Sequence, residues 1–314
     1  MSESSTSEPR TSDRPRIGWI GLGLMGGPMC GHVLDAGFDV TVWARRPESS
    51  APLAAKGATV AGGIAELAAR SDIVCTIVSM PSDVEQVVLG ADGVLANLPA
   101  GGVVVDLTTS EPSLAVRIAE AAAAVGKASV DAPVSGGDTG AKAGTLSVMV
   151  GGEDDAVTRV RPVLDTFAGT LVHQGGPGAG QHTKMANQIL VAGSMIATCE
   201  ALVYAAAAGL DPERVLQTVT KGAGSSSALI NLGPKAIAGD YAPGFFVEHF
   251  IKDLGIVLAE SRRMGIVLPG ATLADQLYRS LAQHEVGGIS GGRLGTQALI
   301  TVLAGLAGRE WPPA

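Results

Sequence analysis

From residue 17 onward, short apolar runs bounded by Gly or Pro alternate with Ala-rich stretches whose apolar positions recur at helical spacing. The short runs predict strands at 16–20, 39–43, 73–78, 103–106, 128–131, 147–150 and 170–173. The intervening stretches predict helices near 26–36, 64–69, 82–89, 112–125 and 154–167. Strands apolar along their whole length and separated by helices are the pattern of strand-helix-strand units around a parallel sheet covered on both faces. After GGPGAG, residues 175–180, the texture changes to long apolar periods of helical type with no further strand signal. The run 184–209 is apolar around most of its circumference and asks for burial on several sides, part of which a second subunit can supply. Helices are then expected at 211–221, 225–238, 247–264, 269–285 and 295–307. The predicted organisation is a disordered tail over 1–15, a doubly wound α/β domain over 16–177 and an all-helical domain over 178–314.

Composition narrows this picture. The tail carries Ser, Thr, Glu, Pro and Arg with no large aliphatic residue to offset the entropy of ordering it. The chain's 314 residues are 46% hydrophobic, enough for one large core or two moderate ones. Lys and Arg total 22 against 30 Asp and Glu, and the net charge of −8 repels polyanions, so a nucleic-acid partner is not expected. Cys30, Cys75 and Cys199 are odd in number and far apart, which indicates neither a disulfide framework nor a zinc site and fits a reducing cytoplasm. The uncharged stretch 17–34 contains six glycines and Pro28, unlike a membrane helix, and the runs 185–199 and 294–308 reach only 15 residues each. A soluble protein without a membrane partner is expected.

The first strand runs into GLGLMGGPM, which sets Gly21, Gly23 and Gly26 in GxGxxG spacing at the opening of a helix. In that context the first Gly permits a tight turn, the second admits a pyrophosphate close to the backbone, and the third lets helix pack on strand. The whole segment, with Leu22, Leu24 and Met25, is the expected dinucleotide cradle. At the end of the second strand an acidic residue would hold the ribose diol of NAD, but this chain has Ala44, Arg45 and Arg46. Two cations without a carboxylate favour the 2′-phosphate of NADP(H); the alternative is two solvated surface arginines.

Two further segments close strands with small polar residues: DLTTSEP supplies Thr108 and Thr109, and DAPVSGG supplies Ser135, Gly136 and Gly137. Ligands bind at the carboxyl ends of strands in open α/β sheets, and N–H groups unhindered by side chains suit a carboxylate. GQHTKMANQILV then places Lys184 and Asn187 on one face of the long helix. Hydride reduction of a carbonyl leaves negative charge on oxygen, which an ammonium can stabilise and protonate while an amide fixes its position. The alternative is a helix-start lysine reaching out to solvent. Lys252 and Asp253 in HFIKDLGIVL either cap the same cleft or form a surface turn of helix. GISGG at 288–292 formally matches GxSxG but lacks a preceding strand. The five histidines show no HExxH pairing and there is no Walker A sequence, so neither metal catalysis nor phosphoryl transfer is indicated.

Taken in order, GLGLMGGPM, DLTTSEP, DAPVSGGDTGAKAGTL, GQHTKMANQ and FIKDL resemble the motifs of the β-hydroxyacid dehydrogenase family, over residues 16 to about 308. That family includes 3-hydroxyisobutyrate dehydrogenases, tartronate semialdehyde reductases and glyoxylate/succinic semialdehyde reductases. The resemblance implies a Rossmann domain followed by an all-helical domain, with the long helix buried in a homodimer or homotetramer. It implies that Met80 and Pro81 line the adenosine side and that Thr109 contacts the cofactor. It implies that Thr108, Ser135, Gly136 and Gly137 hold the substrate carboxylate, Lys184 is the acid/base, Asn187 its aide, and Lys252 reaches the nicotinamide side. Two positions depart from the pattern. The usual second Asn is Gln188, still counted with the substrate-binding residues, and the common C-terminal Asp-x-Ser-Ala segment is Gly295-Thr296-Gln297-Ala298. The expected activity is hydride transfer between NAD(P), NADP(H) favoured, and a small carboxylate-bearing β-hydroxy acid or its semialdehyde. The rivals are an imine reductase, against which the resemblance sets Lys184, and a catalytically silent dinucleotide-binding module.

Overall fold

The computed structural model describes residues 14–312, and its chain forms two compact units, one ending at Lys184 and the other beginning at Met185. Of the predicted tail, residues 1–13 lie outside the described residues. Arg14 belongs to the folded unit: its guanidinium donates to the Ala36 carbonyl at 2.6 Å and stands 5.5 Å over the Phe38 ring.

In the first unit the order is β1 (Ile17–Ile20), α1 (Gly26–Asp35), β2 (Val40–Trp43), α2 (Ala51–Ala55), β3 (Thr59–Val60), α3 (Ile64–Ala69) and β4 (Ile73–Thr76). There follow α4 (Pro81–Leu89), α5 (Val94–Asn97), β5 (Val103–Asp106), α6 (Pro112–Ala124), β6 (Ala128–Asp131), β7 (Val134–Ser135) and α7 (Gly137–Ala143). The unit closes with β8 (Leu146–Gly152), α8 (Asp154–Leu164), β9 (Ala168–Gly175) and the start of α9 (Ala179–Ala207). The nine strands form one sheet in the order β3-β2-β1-β4-β5-β6-β8-β7, with β9 on β8. The first six are parallel in the doubly wound order, reversing direction of progress between β1 and β4.

An all-parallel sheet is corrected at one edge, where β8 runs antiparallel to both β6 and β7. The chain returns there through the short β7 and α7 rather than through a full crossover helix. Strands β1, β4 and β5 are largely apolar and buried because helices cover both faces; Trp19 and Phe167 meet edge to face at 6.1 Å on one side. The sheet register aligns Ile20, Thr76, Asp106 and Asp131 across four strands, so the segments that follow these residues leave the sheet along one edge.

The second unit contains α9 from Met185 onward, α10 (Pro212–Val219), α11 (Ser227–Asn231), α12 (Gly233–Ile237), α13 (Val247–Met264), α14 (Pro269–Ala282), β10 (Glu285–Val286), β11 (Ile289–Ser290) and α15 (Leu299–Leu306). Helix α9 is long and apolar enough to cross a membrane by length and composition, yet Ala192, Met195, Cys199 and Leu202 are buried in this unit's core. Phe250 of α13 packs edge to face on Tyr278 of α14 at 4.9 Å, and the Tyr278 hydroxyl donates to the Thr296 carbonyl.

The expectation of no strand beyond residue 180 is corrected by the β10–β11 hairpin. Its Gly287 and Gly288, both at positive φ, form the two-residue turn that a Gly-Gly pair between two short strands signals. The predicted helix at 225–238 breaks at Leu232 ahead of Pro234, which cannot donate within a helix. The helix predicted from 295 begins as a 3₁₀ turn at Thr296–Ala298, and α15 proper starts at Leu299.

Candidate active site

The glycines after β1 divide their work as their spacing predicts. A methyl group at Gly21, at φ +100°, would run into the Ile77 carbonyl oxygen, and one at Gly26 would strike the Gly21 carbonyl oxygen and the Ile77 side chain. Both positions are therefore closed to larger residues by backbone packed at the β1–β4 reversal. At Gly23 the same methyl would meet nothing within 4 Å, and Gly23 and Leu24 are exposed, with Leu22 and Met25 partly so. Helix α1 starts there with no side-chain cap and no acid in its first turn, the arrangement a phosphate group accepts.

Beyond β2, Ala44 is half-buried and Arg45 and Arg46 are exposed. The Arg45 guanidinium lies 3.7 Å from Asp83 of α4, whose other oxygen accepts from the Met80 backbone N–H at 3.1 Å. Arg45 is thereby brought beside Met80 and Pro81, the start of α4. No such link ties Arg46 to that cluster.

The segments after β5 and β6 are stitched to the start of α9 by residues that sequence reasoning passed over. The Asp131 carboxylate accepts from the backbone N–H groups of Gly178 and Gln181, each at 2.8 Å, and so caps α9. The Gln181 amide, fully buried, accepts from the Ser110 N–H and donates to the Thr108 carbonyl. Asp106 accepts on a single oxygen from the Thr76 hydroxyl and the Thr108 N–H. Burial pushes the Asp106 carboxyl up to about 6, opposed by these hydrogen bonds, and burial also raises that of Asp131. Asp131 opens DAPVSGG and Gln181 is the second residue of GQHTK, but an acid or amide inside a motif gives no sign of aiming at backbone rather than ligand.

Thr108 itself is 2% exposed, and its hydroxyl accepts from the Val78 N–H at 2.9 Å, tying the ends of β4 and β5 together. Thr109 and Ser135 are half-buried, whereas Gly136 and Gly137 bend through φ +133° and +63° into α7. Lys184 reaches this turn. Its ammonium donates to the Val134 carbonyl at 2.9 Å, one residue before Ser135, and the side chain is only 7% exposed. The reading of Lys184 as a lysine reaching solvent is thereby overturned.

In the second unit Gln188 is buried with both ends of its amide engaged. It accepts from the half-buried Asn187 at 2.7 Å and donates to Asp253 at 2.5 Å. The Lys252 ammonium lies 2.8 Å from the other Asp253 oxygen, and this pair is buried rather than a surface turn of helix. That contact is an ion pair by distance but lacks hydrogen-bond alignment, so it is read as Coulombic. His249, between the Phe245 and Phe246 rings, titrates below its ordinary range because it is partly buried and then because Lys252 is close. Gln297 donates to the Asp240 and Ala242 carbonyls, which makes the divergent Gly295–Ala298 segment a structural tie. Among the described residues no cluster of three or more His, Cys, Asp or Glu could hold a metal ion.

A glycine cradle at the reversal of a doubly wound sheet, joined to polar turns at the same sheet edge, defines the class: an NAD(P)-binding oxidoreductase. The comparisons sharpen it. Residues 16–176 match the NAD binding domain of 6-phosphogluconate dehydrogenase, and residues 178–302 match the NAD-binding domain of NADP-dependent 3-hydroxyisobutyrate dehydrogenase. A probable mitochondrial 3-hydroxyisobutyrate dehydrogenase-like protein of Arabidopsis thaliana is 46% identical over 96% of this chain and 89% of its own length. The 3-hydroxyisobutyrate dehydrogenase of Pseudomonas aeruginosa is 38% identical over 86% and 93%. The solved structure of Mycobacterium tuberculosis 3-hydroxyisobutyrate dehydrogenase with L-serine superposes with a TM-score of 0.82 at 31% identity, covering 92% of this chain and 99% of that one. The chain belongs to the β-hydroxyacid dehydrogenase family and is an oxidoreductase acting on CH–OH groups with NAD(P).

Proposed function

We propose that this enzyme interconverts a small β-hydroxy acid and its semialdehyde or keto form with NADP(H), Lys184 acting as general acid and base. The observation that carries the reading is the buried Lys184 ammonium on the Val134 carbonyl, one residue from the Ser135-Gly136-Gly137 turn. The bound nicotinamide supplies or accepts the hydride. The cradle around Gly23 holds the pyrophosphate, Met80 and Pro81 flank the adenosine, and Arg45 and Arg46 take the 2′-phosphate. Lys184 donates a proton to the carbonyl oxygen during reduction and removes it from the hydroxyl during oxidation. Ser135, Gly136 and Gly137 hold the carboxylate with neutral donors, Thr109 touches the cofactor, and Thr108 supports the site from within by holding Val78. By the family resemblance, Asn187 is the aide of the acid/base and Lys252 serves the nicotinamide side.

The exposed Leu190 and Tyr204 on α9, 72% and 74% accessible, support a homo-oligomer built on this helix. The site is read as that of a cytoplasmic enzyme without nucleic-acid or membrane partners. Loss of NADPH absorbance with a panel of short semialdehydes tests the activity, and turnover of at least one free acid at a rate well above its ester is expected. Equal turnover of ester and acid would remove the carboxylate from the reading. Consumption of NADPH with cyclic imines and not with semialdehydes would favour imine reduction instead.

A further inference from the structure

Four side chains of the second unit form one chain with a buried centre. Asn187 donates to Gln188, Gln188 donates to Asp253, and Asp253 pairs with Lys252. Gln188 and Asp253 are 2% and 1% exposed, so solvent does not compete for these bonds. Neighbouring residues on a helix point about 100° apart and ordinarily do not meet. Gln188 closes that gap to Asn187 while still spanning from α9 to α13, and the methylene that distinguishes it from Asn supplies the reach.

The amide also gives the chain a direction. A carboxamide accepts only at its oxygen and donates only at its nitrogen. With an Asp253 oxygen claiming the Gln188 nitrogen, the Gln188 oxygen can only accept, which fixes Asn187 with its nitrogen toward Gln188 and its oxygen turned away.

We propose that Gln188 is a positioning residue, not a substrate ligand: it sets the orientation of the Asn187 amide and, through Asp253, the seat of the Lys252 ammonium. The inference rests on the reading that Asn187 and Lys252 serve the reaction, but the link itself does not depend on the substrate. Asn187 and Asp253 are joined on this path only through Gln188, which makes coupling between them its signature.

The test uses the full-length enzyme and a double-mutant cycle of Asn187→Ala and Asp253→Asn, with and without Gln188→Met, which keeps the side chain's length and removes both polar ends. With Gln188 present, the product of the two single losses in kcat should exceed the loss in the double variant by at least about fivefold. With Gln188→Met the two losses should multiply to within about twofold. Multiplicative losses in the Gln188 enzyme would overturn the proposal, whether or not Gln188→Met folds.

A second readout needs no substrate. The Asn187 side-chain amide resonance should shift on Asp253→Asn when Gln188 is present and stay in place with Gln188→Met. An unmoved resonance in the Gln188 protein would sink the link. Absence of turnover with every substrate in the wild-type enzyme would count instead against the proposed activity.

Discussion

Buried carboxylates are held in two different ways in the two units. At the carboxyl ends of β5 and β6, Asp106 and Asp131 take hydrogen bonds from hydroxyl and backbone N–H groups, all neutral, and both titrate above the usual carboxylate range because they are buried. On α13, Asp253 is just as buried but faces the Lys252 ammonium and a side-chain amide. The first arrangement fixes backbone: it caps α9 and shapes the turns that present Ser135 and Lys184. The second fixes side chains, whose charges and amide dipoles can then be aimed. The same residue type serves scaffold in one unit and alignment in the other, so substitutions should separate stability from rate.

The largest expected effect is on rate alone. Lys184→Ala should lower turnover by about 10² to 10⁴, the scale of a general acid, while NADPH binding changes little. Near wild-type kcat with unchanged cofactor binding would return Lys184 to the scaffold. Asp131→Ala should do the opposite. It strips the cap from α9 and leaves the buried Gly178 and Gln181 N–H groups without their acceptor, which should cost about 2 to 4 kcal/mol of stability. Asp131→Asn keeps one acceptor oxygen and should recover part of the loss. Urea unfolding at constant m-value measures both, and a loss below about 0.5 kcal/mol would show that solvent replaces the cap.

Asp106 tests the electrostatic half of the contrast. Its carboxyl is raised to about 6 in the folded protein, against about 3.9 in an unfolded chain. Between those values the folded state binds the proton more tightly, so stability falls as pH rises through this window, by at most about 3 kcal/mol. Asp106→Asn keeps a carbonyl oxygen for Thr76 and Thr108 and cannot ionise. Its Tm relative to wild type should therefore climb between pH 4 and pH 7, and a pH-independent difference would show that Asp106 is not desolvated as its burial implies.

How much of this the sequence disclosed follows from the range of each interaction. Gly21, Gly23 and Gly26 were legible because a tight turn and a close approach are local demands on backbone, and the α13 boundaries were legible because its apolar period is regular. The Gly287-Gly288 hairpin was missed, since each of its two-residue strands carries a single apolar residue, Val286 or Ile289, too little for an alternation to show beside the helical texture around it. Asp131 to α9 and Gln188 to Asp253 were not legible either, since their partners lie 47 to 65 residues away and nothing in a motif says whether a polar atom faces backbone, side chain or ligand. Thr108 shows the consequence: its place at a strand end suggested a ligand contact, and nothing there disclosed that its hydroxyl also accepts from the Val78 N–H.

The smallest expected effect concerns the exposed arginines after β2. Ala44 can neither hold a ribose diol nor repel a 2′-phosphate, and Arg45 already stands at the start of α4 through Asp83. At 73% exposure its pairing with Asp83, 3.7 Å away, is weak and salt-screened, so the guanidinium can turn to a phosphate at little cost. Against it, Asp83 contributes a negative charge near the same place, which opposes a second anion. About 1.4 kcal/mol is a decade in preference, within reach of one partly shielded charge-assisted bond. NADPH should therefore exceed NADH by about tenfold in kcat/KM, and Arg45→Ala with Arg46→Ala should erase most of that. Asp83→Asn should widen the preference by removing the opposing charge, although it also weakens the cap on Met80. Raising the salt concentration should narrow it, since these groups lie at the surface. Equal kcat/KM for the two cofactors in the unmutated enzyme would leave the dinucleotide cradle intact and reduce both arginines to surface charge, so the contrast between scaffold and aligned charge would then end at the second unit.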